Sequence, residues 1–542
     1  MLSWKGIGWH ISIASLLPLY LAIRTLVNQH YWHNYSPLRT GLSLSAWMYY
    51  VYKMHIPYFI SPLRHLPSPE AGLTGHEYIV RSQVPLTSVI LDTIQAIPND
   101  GLLTLYGLFH SGPLVFVTNP EAMMEMLNAR SYDWHKPRTD ATFLKRILGN
   151  GLVTAEDQAH KSMRKSVAPA FVGKHIRDLV PLFFEKGRAF ADVLAGKISC
   201  DDRVIEMMAQ TSRVTLDIIG SAGIGADLDT IHNDDNYMAN LYETITNEDR
   251  GPIVPFFLIM VFVPPFLVER MYGTKYAKVA RAIRELRVEI GKLVAAKKAS
   301  ADTAKQKDIV AIIMRSGEFS DEYLCDQLLT FFAAGHDTTA SALTWTLYVL
   351  SRHPKEQERL REECKRVVGS QTTMDADLLD RLPYLSAVCD EMLRLYPPVP
   401  LTARTAVVNT KIKEARIPKG TIGIVSLWSL NRSPQLWGSD AGDFRPERWL
   451  DSEKGRASER SEKAALGGAK DTHAFSTFLY GPRSCIGQSF ARSEVKCLLL
   501  ALILRFRFEL ADPDAEVVVS GFVSIKPAGG MRLKLYDLEK EQ

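Results

Sequence analysis

One cysteine, Cys485, lies in a stretch whose residue types favour chemistry. The sequence from Phe478 to Gly487 reads Phe-Leu-Tyr-Gly-Pro-Arg-Ser-Cys-Ile-Gly and is followed by a helical pattern. The N–H groups at the start of that helix, together with Arg483, would stabilise the thiolate form of the cysteine. Gly481 and Gly487 would allow a flat cofactor to approach the loop closely, with Phe478 as an aromatic wall. A thiolate in such a loop can bind haem iron and favours cleavage of an O–O bond.

A polar stretch, Gly335 to Thr339, interrupts a long helical pattern that is otherwise apolar. Such side chains are costly to bury without partners. Gly335 removes bulk from the helix face, and the hydroxyl of Thr338 can compete for backbone hydrogen bonds and open a groove, which makes room for a diatomic ligand. Asp337, an acid beside an alcohol, can relay protons to dioxygen. The alternative is that Thr338 and Thr339 only bond to carbonyls of their own helix.

The cysteine stretch resembles the signature of the cytochrome P450 family, F-x-x-G-x-R-x-C-x-G, and every specified position matches between Phe478 and Gly487. The resemblance implies that the protein binds haem b and that Cys485 is the axial ligand of its iron. It further implies that Arg483 pairs with a haem propionate and that Phe478 packs beside the sulfur. The alternative, a buried inert cysteine in an ordinary loop, does not account for the companion motifs.

The polar helix stretch matches the family motif A-G-x-D/E-T-T in full, with His336 at the free position. The resemblance implies that Asp337 and Thr338 deliver protons during oxygen activation and that Gly335 lies beside the cofactor. An intact acid and alcohol pair favours a monooxygenase over family members that only rearrange peroxides. Two alternatives stay open: a haem-thiolate isomerase or dehydratase that uses no O2, and a non-catalytic haem-binding membrane protein.

Two further family elements concern the frame around the haem. Glu391 and Arg394, three apart on one face of a helix, and Arg448 match the E-x-x-R and P-x-R-F elements. The resemblance implies a buried ion network of these three residues that holds the cysteine loop in place. Trp449 replaces the usual Phe, which we expect to affect packing more than charge.

Haem carries two propionates, so its site requires cations at the rim. The resemblance implies that His160 and Arg164, four apart on a helix before a P-A-F element, contact the propionates together with Arg404 and Arg483. Taken singly, His160 and Arg404 would be ordinary surface groups. The cysteine motif is what favours their assignment to the cofactor.

The composition sets limits on the class of protein and on its partners. The chain has 542 residues, of which 46% are hydrophobic and 23% charged, and its formal net charge is +4. These values predict a large folded core, and the lack of a long basic stripe argues against nucleic acid as a partner. The six cysteines are scattered without C-x-x-C spacing, which favours a reducing compartment. No G-x-G-x-x-G motif opens a βαβ unit, so electrons would come from a separate NADPH–cytochrome P450 reductase, with cytochrome b5 as a second candidate donor.

The N-terminal part of the chain indicates attachment to a membrane. Gly6 to Ile23 contains no formally charged side chain, which predicts a transmembrane anchor over residues 1–30, with a cleaved signal peptide as the alternative. Residues 31–69 hold an aromatic-rich stretch, suited to the membrane surface or to a second span, and a Pro-rich connector. The flanking charges do not fix the orientation. From the resemblance to eukaryotic microsomal members we expect a single-pass protein of the endoplasmic reticulum, with the catalytic body in the cytoplasm.

Helical patterns dominate from about residue 133 onward and strand-like pieces are few, which predicts a mainly α fold with a minor sheet. The resemblance covers about residues 60 to 535 and implies a cytochrome P450 fold of about a dozen helices with a small β domain, here over residues 70–542. Asp133 to Gly151 and the apolar run Ile253 to Val268 are expected to line the substrate pocket. For the second, contact with the membrane and plain burial are the alternatives. We therefore predict a monooxygenase that inserts one oxygen atom from O2 into a lipophilic organic small molecule of specialised metabolism, whose identity the sequence does not give.

Overall fold

The computed structural model of the chain describes residues 45, 48–49, 61–68, 87–106, 113–199, 203–246, 253–300, 306–317, 319–369, 371, 373–450, 466–514, 517–521 and 523–540. These residues fall into two units. The first unit holds those up to His135 together with Leu401–Ser429. The second holds Lys136–Pro400 together with those from Leu430 onward.

Helices dominate the described residues, and the strands are short. The helices are α1 (Thr87–Ala96), α2 (Pro120–Met124), α3 (Arg138–Leu148), α4 (Asp157–Val167), α5 (Gly173–Lys197), α6 (Met207–Ile224), α7 (Tyr237–Thr246), α8 (Ile253–Phe262), α9 (Pro265–Glu269), α10 (Lys275–Ala299), α11 (Ile309–Arg315), α12 (Asp321–Arg352), α13 (Pro354–Val368), α14 (Ala376–Asp380), α15 (Pro383–Leu395), α16 (Leu427–Leu430), α17 (Pro434–Trp437) and α18 (Gln488–Arg505). The strands are β1 (Leu102–Tyr106), β2 (Pro113–Val117), β3 (Trp134–His135), β4 (Val204–Glu206), β5 (Leu401–Ala406), β6 (Thr410–Ile412), β7 (Ala415–Ile417), β8 (Ile422–Ser426), β9 (Phe506–Leu510), β10 (Val519–Ser520), β11 (Lys526–Pro527) and β12 (Arg532–Asp537). The predicted mainly helical fold with a minor sheet component is confirmed.

The first unit is built on a five-stranded sheet with the order β1-β2-β8-β5-β3. β2 pairs with β8 in parallel, and the other neighbours are antiparallel. Leu103 and Phe116 of this sheet pack with Ile90 of α1 in a buried cluster. On β8, a Cβ atom at Gly423 would lie 2.7 Å from Cε of Met126, so a glycine here lets the sheet approach that side chain closely.

The second unit is organised around α12, which is held by its caps and by packing. Ser320 accepts a hydrogen bond from the N–H of Tyr323 at the start of this helix. Asp321 and Glu322 lie in its first turn, where the helix dipole favours negative charge. Most of its length is buried, with α6, α10 and α18 as neighbours, and α18 in turn packs along α5.

Small sheets and short helices complete the second unit. β4, β12 and β9 form a three-stranded sheet, and β10 pairs with β11. The apolar run Ile253 to Val268 forms α8 and α9, which are separated at Pro264. Pro265 occupies the first turn of α9, where its missing N–H costs no hydrogen bond.

The predicted membrane segments can be compared with the structure only in part. Residues 1–44 and 50–60, which carry the predicted anchor and most of the aromatic-rich stretch, lie outside the described residues. Of the Pro-rich connector, residues 61–68 are described and form turns. Among the residues that the structure describes, no helix is both long and apolar enough to cross a bilayer.

Candidate active site

The cysteine loop is closed by backbone geometry. Gly481 has a φ of +76° and Leu479 a φ of +58°, both in the left-handed region. These turns bring the N–H of Cys485 to the carbonyl oxygen of Phe478, at 2.9 Å. Since α18 begins at Gln488, the cysteine lies in a closed loop just before a helix, as the sequence predicts.

Gly487 lies where this loop meets the predicted P-A-F element. Its φ of −88° is available to any residue, and a Cβ atom there would lie 3.8 Å from the ring of Phe171, an ordinary contact distance. The protein itself therefore does not require a glycine at this position. Close approach of a cofactor to Gly487 remains a prediction.

Cys485 differs from the other described cysteines in its accessibility. It is exposed, whereas Cys325, Cys364, Cys389 and Cys497 are buried. The protein around it nevertheless displaces enough water that burial raises the pKa of the Cys485 thiol, and the N–H of Gly487 and the charge of Arg164 offset only part of this effect. The start of the helix and a nearby arginine therefore act in the predicted direction, with Arg164 as the cation, but burial outweighs them. A bound metal removes the penalty, because its charge deprotonates a coordinating thiol.

Two of the predicted rim cations meet beside the cysteine. Arg164 of α4 donates to the carbonyl oxygen of Ser484 at 2.7 Å and to its Oγ at 3.3 Å. Arg483 donates to the carbonyl oxygen of Ala155 at 3.1 Å and forms an ion pair with Glu156. These bonds join both ends of α4 to the cysteine loop. Glu156 was not predicted from the sequence, because it lies outside every motif.

His160 and Arg404 are buried, in different units. His160, one turn before Arg164 on α4, is 3% exposed, and Arg404 on β5 is 6% exposed. Arg404 donates to Oγ1 of Thr402 and to the carbonyl oxygen of Ala403, at 2.7 Å each. Neither residue is the surface group that its type alone would suggest, and their contact with haem propionates remains a prediction.

The middle of α12 has an open face at Ala334. The hydroxyl of Thr338 donates to the carbonyl oxygen of Ala334 at 2.7 Å, a bond within the helix that the sequence offered as one alternative. Ala334 is exposed, although residues 328–332 before it and 339–347 after it are buried. This open face is the part of α12 that a ligand could reach.

The same stretch of α12 also packs closely on α6. A Cβ atom at Gly335 would lie 3.1 Å from Cδ1 of Ile219. At the next residue, the carbonyl oxygen of His336 accepts a hydrogen bond from Oγ1 of Thr215 at 3.1 Å. Gly335 therefore has a packing role that the sequence did not reveal, and its predicted place beside the cofactor remains a prediction.

Asp337 binds to residues near the end of the chain. Its Oδ1 lies 2.7 Å from Nζ of Lys526, and its Oδ2 accepts a hydrogen bond from Oγ of Ser524. Burial acts to raise the pKa of Asp337, but the charge of Lys526, with help from His336 and Ser524, outweighs it and the pKa is lowered. Asp337 is therefore a carboxylate at neutral pH. Sequence reasoning missed both partners.

The predicted ion network is present and buried. Nε and Nη2 of Arg394 donate to the two oxygens of Glu391 at 2.8 Å each, and Nε of Arg448 donates to Oε1 at 2.9 Å. The indole N–H of Trp449 donates to Oε2 of the same carboxylate at 2.9 Å. The expectation that Trp449 affects packing more than charge is therefore wrong, because its N–H, which Phe lacks, belongs to the network.

Asn431 connects this network to the cysteine loop. Its carbonyl oxygen accepts a hydrogen bond from Nη1 of Arg394 at 2.6 Å, and its Nδ2 donates to Oγ1 of Thr477 at 2.7 Å. The N–H of Ser476 donates to its Oδ1 at 3.2 Å. Because Thr477 directly precedes Phe478, a continuous set of hydrogen bonds leads from the network to the start of the loop.

Glu494 of α18 is a buried acid that sequence reasoning also missed. The residue is 1% exposed, and burial raises its pKa well above the usual range, with only a partial offset from the hydroxyl of Thr339. Glu494 thus faces the polar stretch of α12 from the helix after Cys485, although its carboxyl oxygens make no hydrogen bond to the described residues. Glu494 is the one acid of α18, but Arg492, Ser493 and Lys496 beside it are polar, so no signal in the sequence pointed to its burial.

These residues fit a haem. The exposed thiol of Cys485 can reach a metal, the guanidinium groups of Arg164 and Arg483 are suited to anionic propionates, and α12 offers an open face at Ala334. The mainly helical fold and this set of groups together define the class of haem-thiolate enzymes.

Comparison with known proteins identifies the family. The family model described as Cytochrome P450 matches residues 105–531. The chain is 36% identical to the cytochrome P450 monooxygenase sphH of Aspergillus fumigatus over 93% of both chains. It is 34% identical to the monooxygenase FUM15 of Gibberella moniliformis, covering 88% of this chain and 89% of the relative, and 31% identical to the monooxygenase ptmK of Penicillium ochrochloron, covering 92% and 98%.

The chain therefore belongs to the cytochrome P450 family, as its motifs predicted. It is an oxidoreductase of the monooxygenase type, and its cofactor is haem b with a cysteine thiolate as axial ligand. The comparisons favour this activity over an isomerase, a dehydratase or a non-catalytic haem protein.

Proposed function

We propose that Cys485 is the thiolate ligand and that the enzyme inserts one oxygen atom from O2 into a lipophilic organic small molecule of specialised metabolism. The observation that carries the assignment is the exposure of Cys485, since the other cysteines that the structure describes are buried. Burial also raises the pKa of Cys389 to about 12 and raises the pKa values of Cys364 and Cys497. Burial raises the pKa of Cys485 as well, so accessibility rather than the pKa makes these buried thiols poor ligands.

Bound haem supplies the chemistry of oxygen activation, and the protein holds the haem and manages protons. Arg164 and Arg483, with His160, would bind the propionates, since a guanidinium matches a carboxylate in charge and geometry. Thr338, on the open face of α12, and the neighbouring Asp337 would pass protons from solvent to the site.

α8, which belongs to the region predicted to line the substrate pocket, is strongly apolar, and this supports a lipophilic substrate. Phe143 of α3 packs on Phe256 and Phe257 of α8, with ring centroids 6.4 and 5.5 Å apart. Arg146 of α3 fixes the end of α8 by donating to the carbonyl oxygen of Val263 at 2.7 Å. We propose that α3 and α8 together form one wall of the pocket.

We propose that electrons arrive from an NADPH-dependent reductase, or from cytochrome b5, that docks on basic residues near the cysteine loop. Arg483 contributes little to such a surface, because its side chain is 7% exposed and paired with Glu156. Lys161 and Lys165, exposed on α4, are better candidates. A Lys161→Glu, Lys165→Glu double variant should slow reduction by NADPH and reductase but not reduction by dithionite. Unchanged reduction by the reductase would eliminate this surface.

We propose that the protein resides on the endoplasmic reticulum membrane, with α8 and α9 touching the bilayer. Their region exposes large apolar side chains, with Phe262 67% and Phe266 60% exposed. A polarity-sensitive dye on a Phe266→Cys variant should report an apolar environment when the full chain is bound to lipid vesicles. The same dye on Val172→Cys, a position before α5 that is 51% exposed, serves as the control. Identical spectra for the two labelled proteins would contradict contact of α9 with lipid.

The difference spectrum of the reduced protein with and without carbon monoxide tests the central assignment. A strongly red-shifted haem band should appear in the wild type and be absent in Cys485→Ala. Cys497→Ala, which removes a buried thiol from α18, is the matched control and should keep the band. If Cys485→Ala retains the wild-type spectrum, or if the wild type binds no haem, the proposal is wrong.

A further inference from the structure

Both oxygens of the Asp337 carboxylate are engaged by one short segment near the end of the chain. Oδ1 lies 2.7 Å from Nζ of Lys526, and Oδ2 accepts a hydrogen bond from Oγ of Ser524. The Asp337 and Lys526 side chains are 14% and 12% exposed, so solvent screens this ion pair far less than it screens a surface pair.

The segment that carries Lys526 is itself held in place. Oγ of Ser341, one turn after Asp337 on α12, donates to the carbonyl oxygen of Ile525 at 2.6 Å. The N–H of Ile525 donates to the carbonyl oxygen of Pro398 at 2.7 Å. Nζ of Lys526 also lies 3.5 Å from the carbonyl oxygen of Thr246, the last residue of α7. The ammonium group therefore has a defined position between α12 and α7.

In this arrangement Asp337 is not bonded to the hydroxyl of Thr338, to which it would have to pass a proton. The proton of the Thr338 hydroxyl is donated to the carbonyl oxygen of Ala334. A carboxylate held by Lys526 and Ser524 must leave these partners before it can carry a proton to Thr338.

We propose that Lys526 is a positioning residue for proton delivery, because it holds the Asp337 carboxylate away from Thr338 and so controls when that carboxylate takes up a proton. The inference rests on the proposed roles of Asp337 and Thr338. The released carboxylate takes one proton from solvent and gives it to the oxygen of Thr338, which passes its own proton to the site. Asp337 is then again a carboxylate and returns to Lys526, whose ammonium keeps its proton throughout.

The titratable groups that act most strongly on Asp337 are Lys526 and, from its own helix, His336, whose pKa is itself lowered by burial. On the helices packed against this stretch, α6 presents Thr215 to the His336 carbonyl, and α18 presents Glu494 to Thr339. Removal of Lys526 therefore removes the main positive charge that faces the carboxylate.

The test uses the haem-loaded full chain and compares two single variants, Lys526→Met and Lys526→Arg. It also includes the double variant in which Lys526→Met is combined with Asp337→Asn. The first readout is the carbon monoxide stretching frequency of the reduced protein as a function of pH, since this frequency responds to nearby charge. In Lys526→Met the titration of Asp337 should move to higher pH by about one unit or more, because an opposite charge this close has been lost. Lys526→Arg should restore the wild-type curve.

The second readout is the fraction of NADPH oxidation that ends as hydrogen peroxide, measured with reductase. We expect a severalfold change in Lys526→Met, restored by Lys526→Arg, and no effect of Lys526→Met in the Asp337→Asn background. Ser341→Ala is the matched control, because it removes a bond to the same segment but keeps the charge of Lys526, and it should change both readouts far less than Lys526→Met does. If thermal unfolding shows that Lys526→Met is not folded, the same test is made with Lys526→Gln and Ser524→Ala.

The inference is overturned if Lys526→Met matches the wild type in both readouts, or if it changes them equally in the Asp337→Asn background. A wild type without the red-shifted carbon monoxide band would instead overturn the proposed function. The two failures are therefore distinguishable.

Discussion

The indole Nε1 of Trp449 donates a hydrogen bond to Oε2 of Glu391 at 2.9 Å, and the two residues are 2% and 0% exposed. The carboxylate also receives bonds from Arg394, from Arg448 and from the backbone N–H of Arg445. A charge so far from water is stable only when its oxygens are well supplied with donors. The residue that departs from the family pattern thus helps to support the cysteine loop.

Replacing Trp449 by Phe should destabilise the protein by about 1–3 kcal/mol, because it leaves a buried carboxylate oxygen short of a donor. Trp437→Phe is the matched control, since the indole N–H of Trp437 donates to the uncharged carbonyl oxygen of Leu430 at 3.1 Å. Trp437→Phe should therefore lose less stability than Trp449→Phe. Urea unfolding of both variants provides the measurement. Equal losses in the free energy of unfolding would show that the hydrogen bond of Trp449 does not depend on the charge of Glu391 for its effect.

Replacing Arg448 by Met should cost about 3–5 kcal/mol, because it removes one partner of a buried ion network. We also expect loss of haem on purification, since the network is bonded through Asn431 to the start of the cysteine loop. Arg445→Met breaks an ion pair with Asp440 whose arginine is 53% exposed, and should change stability by no more than about 1 kcal/mol. Full haem content in Arg448→Met would argue against the link to the loop.

Replacing Arg164 by Leu should weaken haem retention, because Arg164 both binds to Ser484 and presents a cation beside Cys485. The measurement is the rate at which haem transfers to an excess of an apo-acceptor protein, followed by absorbance. Lys161→Leu, on the same helix but exposed, should release haem at the wild-type rate. If both variants release haem equally fast, the position of the charge on α4 does not matter.

Sequence reasoning found those parts of the site that lie within short stretches of the chain. The loop around Cys485, the polar turn at Asp337 and the pair Glu391 and Arg394 each occupy a few consecutive residues, so their spacing is visible in the sequence. The partners that it missed, such as Lys526 for Asp337, are far away in sequence and depend on tertiary packing.

Electrostatic outcomes were harder still to predict. From the sequence, the start of the helix and the nearby arginine predict that the thiol of Cys485 ionises easily. Desolvation by the rest of the fold decides otherwise until a metal binds. The net effect depends on how much water the surrounding protein displaces, which no motif records.

Replacing Glu494 by Gln should stabilise the protein at neutral pH but not in acid. Burial raises the pKa of Glu494 well above its ordinary value of 4.5, so the folded state holds this proton more tightly than the unfolded state. The stability that it contributes is present below the unfolded pKa and is lost as pH rises toward the folded pKa. Gln has no such loss, so the gain should grow with pH, to about 1.4 kcal/mol for each unit of pKa shift. Urea unfolding at about pH 4 and about pH 8 tests this, and a gain that does not depend on pH contradicts it.

Replacing Gly335 by Ala tests whether this glycine serves the packing of α6 on α12. The new Cβ would lie 3.1 Å from Cδ1 of Ile219, which is 3% exposed and so has little room to move. Alanine gains about 0.5–1 kcal/mol over glycine inside a helix, but overpacking costs about 1–3 kcal/mol, so we expect a net loss. Ile219→Val removes Cδ1 and should convert the loss into a gain, a coupling measurable by unfolding the single and double variants. Additive effects of the two substitutions would mean that the packing of α6 on α12 does not require the glycine. The predicted place of Gly335 beside the cofactor would then be the remaining reason for a residue without a side chain.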